Sequence, residues 1–117
     1  MSSPATKWKF HLRHMLEAVE RIRLYTDGKT EAELRAAPMV LDAVVWNLMV
    51  LGDAARHVPE SVVAAFPEVP WGQMRGIRNH IVHGYDRIDF DIVWAVIQSE
   101  LPPLVAQLER VMRKAEE

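Results

Sequence analysis

Apolar positions along this chain recur almost everywhere at steps of three and four. Phe10, Leu12, Met15, Leu16, Val19, Ile22 and Leu24 trace one stripe and predict a first helix ending near Tyr25. Thr26, Asp27 and Gly28 follow it with stop and turn chemistry. Thr30 with Glu33 reads as a capping box for a short helix to about Ala37, and Pro38 suits the first turn of the next one. That next helix, roughly Met39 to Val58, is apolar around most of its circumference, through Val40, Leu41, Val44, Val45, Leu48, Met49 and Leu51. Such a helix sits at the centre of a fold or in a subunit contact. Pro59 to Gly72 reads as a long connection holding one helical turn over Val62 to Phe66. A fourth helix is expected from near Pro70 to about His83, with Gly84 as its left-handed C-terminal residue. Asp89 caps a last long helix, Phe90 to about Lys114. Pro102 and Pro103 must kink or split it near Ser99 to Leu101, because neither has an amide to donate. With no β alternation and no internal repeat, the pattern predicts an all-α fold, an antiparallel bundle of four or five helices forming one domain over residues 1–117.

Composition narrows the picture. Half of the 117 residues are hydrophobic and 26% are charged, which suits a folded domain and not a disordered chain. There is no cysteine, so neither a disulfide framework nor a thiolate metal site is available. The 14 basic and 16 acidic residues give a net charge of -2 with histidine neutral. That excludes a surface coated in positive charge for nucleic acid, though not a local basic patch. Lys7 and Lys9 interrupt Met1 to Phe10, which lacks the apolar core of an export signal. Ala43 to Gly52, the longest apolar stretch, is broken by Asn47 and is shorter than the ~20 residues of a spanning helix. The expectation is a soluble, cytoplasmic protein with no membrane partner.

Candidate chemistry concentrates between Met74 and Asp86, reading MRGIRNHIVHGYD. On one continuous helix, Met74, Ile77 and Ile81 share an inward face, while Arg75, Asn79 and His83 form a polar stripe four residues apart. Tyr85 follows the Gly84 break. A histidine titrating near neutrality takes or gives a proton, and an arginine grips a phosphate bidentately. Together they suit cleavage of an RNA phosphodiester by its own 2′-hydroxyl, with no metal or other cofactor. That reaction wants both a base and an acid, which two helix ends brought together in a symmetric dimer would supply. The same stripe is also what a solvated, ion-pairing helix face looks like. His80 falls on the other side of the helix from Arg78 and reads as a structural or interface residue. Lys7, Lys9, Arg13, Arg21 and Arg23, with His11 and His14, bias the first helix toward positive charge and offer a track for an RNA backbone.

Arg78-Asn79-His80-Ile81-Val82-His83-Gly84-Tyr85 resembles the signature of the HepT-like family of HEPN-domain toxins: an Arg, four residues, a His, one residue and a Tyr. Leu51-Gly52-Asp53-Ala54-Ala55 resembles the family's Gly-Glu-Ala-Ala stretch on the preceding helix, and Pro67 to Trp71 its entry into the motif helix. The likeness runs from about Leu41 to Val111. It implies a HEPN-like four- or five-helix bundle that dimerises with two motifs facing one cleft. It also implies a metal-independent endoribonuclease acting on tRNA or mRNA, the toxin of a type VII-like toxin–antitoxin module. Its partner there is an MntA-like nucleotidyltransferase antitoxin, which silences the toxin by AMPylation of the motif tyrosine. Carried over, Arg78 and His83 are catalytic and Tyr85 is the modified residue. Read from the residues themselves, Arg75, Asn79 and Tyr85 are expected to contact substrate and Asp53 to support the motif. Asp53 departs from the family's usual Glu and reaches about one methylene less. A different reading keeps the fold and drops the catalysis, leaving a dimeric module that binds nucleotides or a nucleotidyltransferase.

Overall fold

The computed structural model describes residues 4–82 and 87–116, with side chains from Lys7 onward. His83, Gly84, Tyr85 and Asp86 lie outside the described residues. The chain is helical through α1 (Pro4–Thr26), α2 (Glu31–Arg35), α3 (Pro38–Ala55), α4 (Glu60–Ala65), α5 (Trp71–Arg75), α6 (Ile77–Ile81), α7 (Phe90–Ala95) and α8 (Leu101–Ala115). A π-helical turn, Val96–Glu100, joins the last two. Among the described residues the only extended pairing is one antiparallel bridge between Val82 and Ile88. The fold class is all-α, as the periodicity predicts.

Local chemistry sets most of the boundaries. Thr26 Oγ1 donates to the Ile22 carbonyl at the end of α1, and Gly28, at φ +72°, makes the left-handed turn that follows. The capping box at α2 is complete, with the Glu33 amide donating to Thr30 Oγ1 and the Thr30 amide to Glu33 Oε1. Pro38 opens α3, and Asp89 accepts from the Ile92 amide to open α7. The prolines act as expected but by a specific device. Leu101 N–H reaches back five residues to the Val96 carbonyl, so one widened turn absorbs the missing amides of Pro102 and Pro103.

Helix α3 is the centre. Its Val44, Leu48, Leu51 and Ala55 are fully excluded from water. They join Leu12, Met15, Val19 and Ile22 of α1 and Leu101, Leu104, Leu108 and Val111 of α8 in one core. By length and composition this 18-residue helix is apolar enough to cross a membrane, at a mean hydropathy of 1.3. The shorter stretch Ala43 to Gly52 understates it. Part of that apolarity, 39% of the helix, goes into burial, where α3 packs against α1, α5 and α6.

The motif helix departs from expectation. Instead of one helix to His83, the chain breaks at Gly76 (φ -92°, ψ 2°) and ends its second piece at Ile81. Glycine is a weak helix former, and here its carbonyl accepts the His80 amide at 3.2 Å with the His80 Nδ1 also 2.7 Å away. Val82 is already extended (φ -99°, ψ 118°), and Asp89 N–H donates to the Ile81 carbonyl at 2.8 Å. Val82 then pairs with Ile88 in the antiparallel bridge.

Candidate functional site

Three segments enclose an open cleft of about 890 Å³. Its floor is a stripe of α3, with Asp42, Trp46, Met49 and Asp53 at helical spacing. One wall carries His11 and His14 of α1, and the other carries Arg75 and Arg78 with Val82 and Ile88. Trp46 is 69% exposed, large for a residue of that size and apolarity.

Gly52 brings the motif wall against the floor. A Cβ there would stand 2.7 Å from the Met74 carbonyl oxygen and 2.8 Å from Ile77 Cγ2. Only a residue without a side chain lets α5 and α6 lie this close to α3. Ile77 and Ile81 point into the core, which turns Arg78 and Asn79 outward as exposed side chains. Arg78 faces the cleft, whereas His80 lines a separate hollow with Glu100 and Leu104, so the two do occupy opposite sides of α6.

Arg75 is not part of a stripe with Asn79, because the Gly76 break lies between them. Its Nε donates to the Ala55 carbonyl at 3.0 Å, its Nη2 to the Val58 carbonyl at 2.8 Å, and its Nη1 pairs with Glu60 at 2.8 Å. The Ala55 carbonyl is the last of α3, which the arginine caps, and the Val58 carbonyl belongs to the turn that follows. Arg56 Nη2 returns the favour to the Arg75 carbonyl at 3.2 Å. Arg75 thus holds the motif wall in register with the floor, and three of its five N–H groups are committed to protein. Arg87 lines a shallow hollow with Arg35, whose guanidinium lies 4.0 Å over the Phe90 ring.

Asp53 is exposed on the cleft floor beside both walls. His83 and Tyr85, one expected to be catalytic and the other modified, fall outside the described residues.

A cluster that residue spacing alone does not reveal stands on the α1 wall. The His11 ring stacks on His57, from the turn after α3, with centroids 4.2 Å apart and planes 15° from parallel. His14 meets His11 edge-on at 6.2 Å. Partial burial comes first in lowering the His11 pKa from its usual 6.5, followed by the neighbouring His57 and His14, while Asp53 opposes them. The i, i+3 spacing of His11 and His14 was visible in the sequence, but His57 lies more than forty residues away. Among the described residues no group of three or more His, Cys, Asp or Glu side chains is arranged to hold a metal ion.

The ribonuclease HepT-like family matches residues 15–111. The chain is 29% identical over 103 residues to a "Putative RNase" of Methanocaldococcus jannaschii, covering 88% of this chain and 94% of that one. It is 25% identical over 105 residues to the "Probable ribonuclease HepT" of Thermococcus cleftensis, covering 90% and 96%. A third relative, the "Gamma-glutamylcyclotransferase and putative RNase" of M. jannaschii, is 26% identical over 106 residues, and this chain spans only 48% of its length. No solved structure matches the chain. With its match running from α1 to near the end of α8 and including the cleft's floor and motif wall, the chain belongs to the ribonuclease HepT-like family.

Proposed function

We propose that this chain is a metal-independent endoribonuclease, working in the cytoplasm as the toxin of a type VII-like toxin–antitoxin module. The observation that carries the reading is Arg78, standing exposed in an open cleft beside Arg56 and Arg75 in a chain of the ribonuclease HepT-like family. An arginine there neutralises the scissile phosphate and the charge that develops on it. In this reading His83 moves a proton for the 2′-hydroxyl or the leaving 5′-oxygen, and Asn79 and Tyr85 contact the RNA. Two chains related by a twofold axis bring two motifs to one cleft, so the homodimer is the active species.

The same site explains how a nucleotidyltransferase antitoxin would silence it. AMP added to Tyr85 puts an anionic phosphate and a bulky base where the RNA phosphate must sit. Purified protein incubated with an RNA oligonucleotide in the presence of a chelator should cut it, and Arg78→Ala or His83→Ala should remove the cutting with the melting temperature kept. Co-expression with a nucleotidyltransferase should raise the intact mass by whole AMP units, and Tyr85→Phe should abolish that gain. Wild-type protein that leaves RNA intact and cell growth unaffected would end the toxin reading.

A further inference from the structure

Trp46 lies on the floor of the cleft and has no part in the cutting step described above. We infer that its indole is a stacking platform for an unpaired RNA base next to the phosphate that Arg78 holds. The inference rests on the ribonuclease reading for its substrate, and adds that the RNA is single-stranded where it enters the cleft.

Val44, Val45, Asn47 and Leu48 on either side of Trp46 are buried, so the register of α3 turns this one side chain outward. Met49 and Val50, one turn on, continue the apolar floor beside it. Trp71 shows the structural use of the same residue: it is 4% exposed, and its Nε1 donates to the Phe66 carbonyl at 3.0 Å. Trp46 is 69% exposed, and among the described residues its ring nitrogen has no hydrogen-bond partner. An indole offers a broad flat apolar face and has only two rotatable bonds to immobilise on contact.

The close approach at Gly52 sets the distance to the motif wall. Ile77 Cγ2 would stand 2.8 Å from a Cβ on Gly52, and Arg78 is the next residue along the chain. Trp46 precedes Gly52 by six residues on the same helix, about 9 Å along its axis at 1.5 Å per residue. That separation is on the scale of a nucleotide. A base can therefore lie on the indole while the adjoining phosphate meets the Arg78 guanidinium.

Charge orients the strand in the same sense. Arg56 and Arg78 are exposed cations of the cleft, and both belong to its Gly52 end, where they outweigh Asp53. Asp42 stands at the other end, one turn before Trp46, and is exposed as well. Its carboxylate repels phosphate from the tryptophan end but accepts hydrogen bonds from the N–H edge of a base. Phosphate is thus drawn to the arginines and the base to the indole. Cations along a groove with an aromatic face beside them hold single strands in this way, whatever the base. A duplex has its bases stacked on one another and offers no free face.

The test is binding of a dye-labelled single-stranded RNA oligonucleotide to the full-length protein, with 2′-fluoro in place of every 2′-hydroxyl so that it cannot be cut. Trp46→Ala should weaken binding on the order of 10- to 100-fold with the melting temperature kept. Trp46→Phe keeps a ring and should stay within about fivefold of wild type, whereas Trp46→Leu keeps only apolar bulk and should fall with alanine. Tryptophan fluorescence of the wild type should be quenched on binding, and Trp46→Phe should lose most of that quenching. A Trp46→Ala or Trp46→Leu protein within about threefold of wild type overturns the inference, as does a wild type that does not bind the strand. Loss of binding that follows loss of the dimer in sedimentation makes Trp46 a contact between copies and overturns it too. Cleavage of the unmodified oligonucleotide is measured separately. A wild type that binds through Trp46 and cuts nothing ends the ribonuclease reading alone, and one that cuts while Trp46→Ala binds normally ends this inference alone.

Discussion

On the α1 and α8 side of the molecule, Leu12, Met15, Val19, Ile22, Leu104, Leu108 and Val111 are buried on long regular helices. The motif wall is made instead of two five-residue helices split at Gly76, tied to α3 by arginine side chains and one close backbone approach. Apolar burial is insensitive to small shifts and rewards length. Hydrogen bonds and a glycine contact fix a position within tenths of an ångström but supply little stability in return. Trp71, Met74, Ile77 and Ile81 anchor the motif wall in the same core, but the long helices carry more of the burial and the motif wall carries the placement of the site. Low local stability is where binding and catalytic segments are usually drawn from.

Four changes break or sharpen that contrast. Leu48→Ala removes a side chain fully buried in α3 and should cost about 2–5 kcal/mol of global stability, seen in chemical denaturation. Gly52→Val forces a side chain against the Met74 carbonyl and should cost about 1–3 kcal/mol. Its loss of RNA cleavage should exceed what its melting temperature explains, because the motif wall is pushed off the floor. Arg75→Leu orphans the Ala55 and Val58 carbonyls and should cost about 1–3 kcal/mol, concentrated in hydrogen exchange of α5 and α6 with α1 and α8 still protected. Uniform loss of protection across all helices would show that the two flanks are one cooperative unit. The smallest effect is with pH. The His11 pKa is lower folded than unfolded, so folding is favoured by His11 above about pH 6.5 and loses that contribution as pH falls through 6.5 toward the folded value. The melting temperature should drop on acidification across that window, and His11→Gln should flatten the drop.

Legibility in the sequence followed the same division. The capping box of Thr30 and Glu33, Pro38 at the start of α3, the Asp89 cap and the proline-driven distortion before α8 are all local events. Each is written in a few adjacent residues. The stripe joining Arg75, Asn79 and His83 assumed a continuous helix, and Gly76 with the His80 ring above it breaks that assumption. Gly52 stood out as part of a resemblance, but its reason, a carbonyl from a helix some twenty residues later, belongs to packing.

What the sequence by itself determined is the all-α class, the apolar character of α3 around most of its circumference, the outward presentation of Arg78 by Ile77 and Ile81, and membership of a ribonuclease family. These depend on periodicity and short motifs, which survive without knowledge of neighbours. Tertiary structure decided that Arg75 caps α3, that Arg87 shares a hollow with Arg35, and that His57 stacks on His11 beside the cleft that Arg78 also lines. Those outcomes bring together residues from separate helices. Only the packing of α1, α5 and α6 around α3 determines which distant side chains share a cleft.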